Sequence, residues 1–142
     1  MKLESIADKI EIKELNAKYN FSVDEYYAES WADCSTKDGV FNALLPGRAP
    51  RGRDALIKFV DVVVEAFGKM HHLTINEIIL LGGNEAQQKC YLQFIYNKNG
   101  AIQGGICIYN DWLEKENSKW KYSRRDVVYK TKSVDIPDKS KI

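Results

Sequence analysis

The sequence predicts an α+β fold in which helices near the amino terminus pack against an antiparallel sheet. Apolar residues recur at helical spacing before residue 70, whereas the residues from His71 onward form four strand-like segments separated by short turns. Three hairpins in succession give an antiparallel meander. Such a sheet must bury one of its faces, and the amino-terminal helices are the part of the chain available to cover it.

The composition fits one globular domain. The chain has 142 residues, of which 44% are hydrophobic, and this is enough for a single core. We assign residues 1–132 to the domain and residues 133–142, which are polar and interrupted by proline, to a loose tail. No targeting sequence and no apolar run of about 18 residues is present, so we expect a cytoplasmic protein without membrane contact.

The charge balance and the cysteines argue against several kinds of partner. The 21 Lys and Arg residues against 20 Asp and Glu leave a formal net charge of +1, so we expect no nucleic-acid partner. Cys34, Cys90 and Cys107 are odd in number and lack the CxxC spacing of zinc sites. We therefore expect free thiols, with Cys90 and Cys107 as small core residues, and no bound metal.

Two helices are predicted before residue 35. The first runs from Leu3 to about Tyr19, where apolar residues form one stripe between charged residues. Asn20-Phe21 interrupts this pattern. Ser22-Val23-Asp24-Glu25 then has the S-x-x-E form of a capping box, which predicts a second helix from about Val23 to Asp33. Asp24 would lie in its first turn, where the helix dipole favours a negative charge.

The middle of the chain is predicted to contain a strand and a third helix. Ser35 to Gly39 is a turn cluster, and the apolar segment from Val40 to Leu45 is short enough for a strand. A helix follows from Asp54 to about Gly68, because its apolar residues keep the helical period in spite of three consecutive valines. The loop between the two elements holds three arginines that we expect to be solvated, Arg48, Arg51 and Arg53.

Four strands complete the predicted sheet. They run from His71 to Leu81, from Gln88 to Tyr96, from Ala101 to Glu114 and from Trp120 to about Lys132. The turns between them are Gly82-Gly83-Asn84, Asn97-Lys98-Asn99-Gly100 and the polar segment from Lys115 to Lys119.

This order of elements resembles the nuclear transport factor 2-like fold, a cone-shaped α+β barrel in which a curved antiparallel or mixed sheet wraps around amino-terminal helices. Within that fold the sequence is similar to the SnoaL-like family, which includes scytalone dehydratase, hexachlorocyclohexane dehydrochlorinase and bile acid dehydratase. The resemblance covers about Leu3 to Lys130. It is carried by Tyr19 and Asp24, Asp38-Gly39-Val40-Phe41, His72 with Asn76, Asp111-Trp112, and the segment from Lys119 to Arg125.

The resemblance implies an aspartate and histidine dyad in a pocket. His72 would be the general base that removes a proton, while Asp24 fixes its tautomer and stabilises the imidazolium that forms. Tyr19 would polarise a carbonyl or hydrogen-bond a leaving oxygen. The second histidine of scytalone dehydratase has no counterpart around Gly104-Gly105-Ile106, which argues against a reaction that needs two imidazoles.

Each of these residues also has a purely structural explanation. His72 would then be a half-buried strand histidine bonded to a backbone carbonyl, and Asp24 a carboxylate that stabilises its helix. Tyr19 continues the apolar stripe of the first helix, so it suits the core as well as a pocket. His71 points to the opposite face from His72 by strand alternation, and we expect it to have no function.

Other residues are candidates for contact with a substrate. Asn76 shares the strand face of His72 if the strand is regular. Trp31, Tyr109 and Trp112 could line an apolar pocket, although aromatic residues at these spacings also suit a core. Arg124 and Arg125 lie on opposite faces of the last strand, so at most one of them enters the cavity, and we choose Arg125.

The resemblance therefore implies a cofactor-independent lyase or isomerase, of the dehydratase or polyketide cyclase type, and a pocket of aromatic and aliphatic residues around one dyad would suit a small, mostly apolar cyclic molecule. The alternative is a non-catalytic small-molecule-binding or scaffold protein of the same fold. An assembly subunit resembling the small subunit of ring-hydroxylating dioxygenases would need a large apolar outer sheet face, of which the sequence gives no clear sign. Because members of this fold often pair through the sheet, we expect a homodimer or a higher homo-oligomer.

Overall fold

The computed structural model describes residues 2–43 and 49–131, which form three helices and five strands. The helices are α1 (Leu3–Asp24), α2 (Ala28–Ala32) and α3 (Arg53–Phe67). The strands are β1 (Ser35–Asn42), β2 (Met70–Gly82), β3 (Glu85–Lys98), β4 (Ala101–Glu116) and β5 (Lys119–Thr131). The predicted tail, Lys132, Leu44, Leu45 and Arg48 lie outside the described residues. No helix in the described ranges is long and apolar enough to cross a membrane.

The five strands form one mixed sheet in the order β1-β5-β4-β3-β2. Strands β2 to β5 are the predicted antiparallel meander, and β1 joins β5 in parallel. The predicted α+β class and mixed sheet are confirmed, and the sheet is not closed into a barrel, since β1 and β2 are its two edge strands. Strand β2 stays an edge because α1 packs along it, and Asp24 on α1 accepts a hydrogen bond from the backbone N–H of His72.

The turns of two hairpins contain fewer residues than predicted, so the strands beside them are longer. Asn99 and Gly100 connect β3 to β4 with φ of 54° and 82°, and Asn117 and Ser118 connect β4 to β5 with φ of 53° and 65°. Two consecutive residues with positive φ are typical of the type I′ turn, whose twist matches that of the flanking strands. The polar residues beside Asn117 and Ser118 therefore pair in the ladder instead of forming a loop.

Helix α1 continues to Asp24, so the predicted break at Asn20-Phe21 and the predicted capping box are wrong. Ser22 is buried within α1, and the next helix begins only at Ala28. The Asn20 side chain does not compete with the helical backbone, because its amide donates a hydrogen bond to Thr74 Oγ1 on β2 at 3.3 Å. Asp24 is consequently at the carboxyl end of a long helix and not in the first turn of a new one.

The segment from Ser35 to Gly39 is part of strand β1, and the predicted turn there is wrong. Ser35 is in register with Tyr122 of β5. Gly39 lies so close to β5 that an added Cβ would be 3.1 Å from the Tyr122 carbonyl oxygen. Polar side chains suit β1 because it is an edge strand, in which Lys37 and Asp38 are exposed. Pairing with a distant strand thus overrides the local turn preference.

The helices cover one face of the sheet and form two apolar clusters with it. One cluster joins all three helices to the end of the sheet near the β4–β5 hairpin and includes Trp31. The other lies between α3 and the middle of the sheet and includes Phe94 and Tyr109. Cys90 and Cys107 belong to this second cluster, as predicted, and all three cysteines are free thiols. The cavity of the candidate site is at the second cluster.

The opposite face of the sheet carries an apolar row across four strands. Ile75, Tyr91, Ile108 and Val128 are successive partners in the β2, β3, β4 and β5 ladders. Ile75 is 47% exposed and Tyr91 is 40% exposed. Each strand contributes only one residue to the row, so the row is visible only once the pairing register is known. The outer face is therefore more apolar than the sequence indicates.

Candidate active site

The structure brings Asp24 and His72 together although 48 residues separate them along the chain. His72 Nδ1 lies 2.6 Å from Asp24 Oδ1, and the backbone N–H of His72 donates to Asp24 Oδ2 at 3.0 Å. The two side chains are 10% and 9% exposed, His72 first. One carboxylate therefore holds both the imidazole ring and the backbone of the edge strand.

These hydrogen bonds determine which ring nitrogen can act as a base. The Asp24 carboxylate accepts hydrogen bonds, so a neutral imidazole beside it carries its proton on Nδ1 and its lone pair on Nε2. His72 Nε2 forms no hydrogen bond with any residue in the described ranges. The arrangement is that of an oriented general base with an anionic partner.

The position of Asp24 in α1 reverses the predicted effect of the helix dipole on its carboxylate. At the carboxyl end of α1 the helix dipole disfavours a carboxylate, whereas the predicted first-turn position would have favoured it. Asp24 is instead stabilised by the two hydrogen bonds from His72. The carboxylate therefore depends on His72 for stabilisation, just as the ring depends on the carboxylate for orientation.

His72 forms part of the wall of an interior cavity between α3 and the sheet. The other polar side chains of this wall are two phenols and a thiol, Tyr109, Tyr129 and Cys107. The remaining wall residues are Phe41, Ala43, Phe59, Val62, Val63, Phe67, Met70, Leu92, Phe94 and Val127. Asp24 is not in this wall but in an outer groove between α1 and β2, and His72 lines this groove as well as the cavity. Within the described ranges, no three histidine, cysteine or acidic side chains are grouped so that they could hold a metal ion.

Tyr19 and Trp31 lie in the core beside the cavity and not in its wall. The two rings are in contact, with centroids 5.4 Å apart. Trp31 packs against Phe41 and Phe59, which do form part of the wall. Burial raises the pKa of Tyr19 to about 12, so its phenol stays protonated at neutral pH. Among the predicted aromatic contacts, Tyr109 is the side chain that reaches the cavity wall.

Asn76 and Trp112 lie on the outer face of the sheet and are not part of the cavity wall, so their position does not support the predicted contact with a cavity ligand. Strand β2 has an irregularity at Asn76, whose φ is 61°. An extra residue at a bulge moves the following side chains to the opposite face, and Asn76 therefore does not share the face of His72. Trp112 is 39% exposed because its two neighbours in β4 point inward. His71 is exposed, as predicted.

Arg125 is fully buried behind the cavity in a bidentate ion pair. Its Nε donates to Asp111 Oδ1 at 2.7 Å and its Nη2 donates to Asp111 Oδ2 at 2.8 Å. The guanidinium carbon lies 4.4, 3.8 and 4.0 Å from the ring centroids of Tyr19, Tyr109 and Tyr122. Burial disfavours the charged form, but Asp111, Tyr122 and Tyr19 together outweigh this effect and hold the pKa of Arg125 well above its usual value.

Arg125 points inward, yet it is not part of the cavity wall. The prediction that it touches a substrate is therefore not supported by its position. Arg124 points outward, where its Nε donates to Asp126 Oδ1 at 2.8 Å. The alternation between the two arginines is as predicted, but the inward one is held by Asp111 and not by solvent or a ligand.

Three polar residues that were not predicted to belong to the site surround this ion pair, namely Asn16, Gln88 and Tyr122. Gln88 donates to Asp111 Oδ2 at 2.7 Å and exchanges two hydrogen bonds with Asn16, at 2.8 and 3.0 Å. Tyr122 also donates to Asn16. A usable signal was present: Gln88 alternates in phase with the buried residues of β3, and Asp111 does so in β4. A polar residue in phase with a buried apolar pattern predicts a buried polar network.

Comparison with known proteins identifies a family and several solved structures of the same fold. Residues 4–126 match the model of the SnoaL-like domain family. A protein of unknown function from Mycobacterium tuberculosis, solved as an aspartate-to-asparagine variant, is 25% identical; the match covers 89% of this chain and 74% of that one, with a TM-score of 0.83. No curated protein matches the chain.

Two structures from Novosphingobium aromaticivorans are similar at lower identity. A candidate scytalone dehydratase is 22% identical over 89% of this chain and 87% of that one, with a TM-score of 0.79. A candidate aromatic ring hydroxylase is 20% identical over 90% of this chain and 92% of that one, with a TM-score of 0.80. At these identities the likeness shows a shared fold.

Proposed function

The chain belongs to the SnoaL-like family, and from this membership together with the dyad we propose that it is a cofactor-independent lyase or isomerase. The observation that carries the proposal is the environment of His72. Its ring lines an apolar cavity, Asp24 holds Nδ1 at 2.6 Å, and Nε2 has no hydrogen-bond partner among the described residues. A base needs such an oriented, unoccupied nitrogen.

In the proposed reaction, His72 Nε2 removes a proton from a carbon next to a carbonyl group. The electrons of the broken C–H bond form an enolate, and Asp24 stabilises the imidazolium. In an elimination, the enolate expels a hydroxyl group, which takes the proton from Nε2 and leaves as water. In an isomerisation, the same proton returns to another carbon. Both outcomes restore neutral His72, so no cofactor is required.

The cavity wall supports a small, mostly apolar cyclic substrate. Among the described residues of the wall, His72 is the one imidazole, and the wall contains no Asp, Glu, Lys or Arg. A charged substrate would lose its hydration there without gaining a partner of opposite charge, which is costly. A neutral ring with one or two oxygen atoms suits this wall.

The proposal is tested with a panel of neutral cyclic ketones and hydroxy-ketones in D2O. Proton NMR follows the exchange of the hydrogens next to the carbonyl and the appearance of dehydrated or isomerised product. For at least one panel member, we expect the protein to accelerate exchange or turnover above the rate in buffer. Ligand binding without exchange or turnover across the panel would instead support a non-catalytic binding protein.

We further propose that two copies of the chain pair through the outer face of the sheet. On this face Lys89 of β3 and Asp126 of β5 flank Asn110 of β4 in one register row. A two-fold axis along β4 would place each Lys89 opposite the Asp126 of the other copy. The apolar row would then meet itself at Ile108, while Tyr91 would face Val128 of the second copy.

The pairing predicts a strong effect of a charge on the two-fold axis. Ile108→Asp would bury two facing carboxylates, and we expect it to convert the dimer to a monomer in sedimentation velocity. Ile10→Asp is the matched control, because Ile10 is 54% exposed on α1, away from the sheet face. A monomeric wild-type protein, or a dimer unchanged by Ile108→Asp, would contradict the proposed pairing.

A further inference from the structure

We infer that Tyr109 donates a hydrogen bond to the carbonyl oxygen of a neutral ketone bound in the cavity, and that Arg125 is a positioning residue that acts through the Tyr109 ring. The inference rests on the proposed function. It names a second polar group of the site and narrows the substrate to molecules with a carbonyl oxygen as the acceptor.

The Tyr109 hydroxyl is available to a ligand. Tyr109 lines the same cavity as His72. Its hydroxyl forms no hydrogen bond with a described residue. A phenol hydroxyl without a hydrogen-bond partner among the described residues can donate its proton to a ligand oxygen. Tyr129, the other phenol of the wall, already has an interaction.

The surroundings of Tyr109 make it a donor and not a base. Burial, with a smaller contribution from Tyr19, raises the pKa of Tyr109 well above its usual value, so the phenol keeps its proton. Arg125 opposes this rise from behind the ring, with its guanidinium carbon 3.8 Å from the ring centroid. A positive charge at that position stabilises negative charge that develops on the phenol oxygen, which strengthens the hydrogen bond to an enolate-like ligand.

Arg125 itself cannot reach a ligand in the cavity. Its Nε and Nη2 are held by Asp111, and its Nη1 is sealed from solvent without a partner. Gln88 in turn holds the Asp111 carboxylate at 2.7 Å, so the ion pair has a defined orientation against the tyrosine ring. The charge of Arg125 therefore influences the cavity through Tyr109, which it touches, and not by direct contact.

The experiment uses trans-4-phenyl-3-buten-2-one, a neutral aryl enone, labelled with ¹³C at its carbonyl. Isotope-edited infrared spectroscopy reports the carbonyl stretch, which moves to lower frequency when the oxygen accepts a hydrogen bond. We expect this shift on binding to the wild type and its loss in Tyr109→Phe, with affinity about 3- to 10-fold weaker for one lost hydrogen bond. His71→Ala, on the outer face of the sheet, should keep the shift.

The role of Arg125 is tested with the pair of variants Arg125→Met and Arg125→Met/Asp111→Leu. The double variant leaves no unpaired buried charge, so it keeps the test usable if the single variant fails to fold. We expect both to bind the enone with a smaller shift than the wild type. A full shift in the double variant would overturn the positioning role of Arg125.

The remaining outcomes separate this inference from the proposed function. A wild-type shift that survives in Tyr109→Phe, binding without any shift, or no binding of the enone to the wild type would each overturn the role of Tyr109. If the shift behaves as expected but no panel ketone undergoes exchange or turnover, the catalytic proposal fails and the ketone-binding role of Tyr109 stands.

Discussion

Arg125→Met is expected to lower the free energy of unfolding by about 3–5 kcal/mol, because it leaves the Asp111 carboxylate buried without its ionic partner. Asp111 is 2% exposed and Arg125 is 1% exposed, so solvent cannot replace the lost contact. Equilibrium unfolding in urea, followed by tryptophan fluorescence, measures the change. The loss should appear as a lower midpoint at an unchanged slope, since the folded surface is not altered.

Two controls separate the buried charge from the loss of a long side chain. Arg124→Met removes the neighbouring arginine, whose side chain is 44% exposed and pairs with Asp126, and it should cost less than about 1 kcal/mol. Arg125→Met/Asp111→Leu removes both buried charges and should recover most of the loss. If the double variant were as unstable as the single one, the effect would come from packing and not from an unpaired carboxylate.

His72→Ala is expected to reduce the rate of proton exchange or turnover by about 10²- to 10⁴-fold on any ketone that the wild type accepts, because it removes the general base. The measurement is the same D2O assay on the same panel member. Asp24→Asn should also slow the reaction, since an asparagine cannot stabilise the imidazolium as a carboxylate does.

His71→Ala is the matched control for this prediction. It removes the same side chain from the adjacent position, but His71 is exposed on the outer face, so its rate should equal that of the wild type. Equal rates for His72→Ala and the wild type would rule out His72 as the base. A comparable loss in both variants would point to damage to strand β2 and not to lost chemistry.

The candidate site was predictable only in part, and the predictions that failed did so for different physical reasons. The pairing of Asp24 with His72 came from a family resemblance, since neither residue's local sequence indicates the other. Tyr109 lines the cavity because strand alternation points it inward, and its contact with a substrate stays a prediction. The predicted sheet face of Asn76 was not observed, because the irregularity in β2 changes the face to which its side chain points. A bulge leaves no reliable mark in a single sequence.

Arg125 shows more clearly that strand alternation predicts the direction of a side chain but not its contacts. Its inward direction follows from its position in β5, but its role depends on what it meets inside. Asp111 is 14 residues away and Asn16 is 109 residues away in the chain, and both bind the guanidinium. Sequence alone cannot distinguish an inward arginine that faces a ligand from one that a buried carboxylate already holds.

The sequence by itself determined the α+β class, the four-stranded meander and the third helix, because side-chain periodicity and positive-φ turns are local properties of neighbouring residues. The tertiary structure alone decided where α1 ends, that the segment from Ser35 is a strand, and which polar side chains face the cavity. These features depend on the register and packing between segments far apart in the chain, whose energies outweigh local preference.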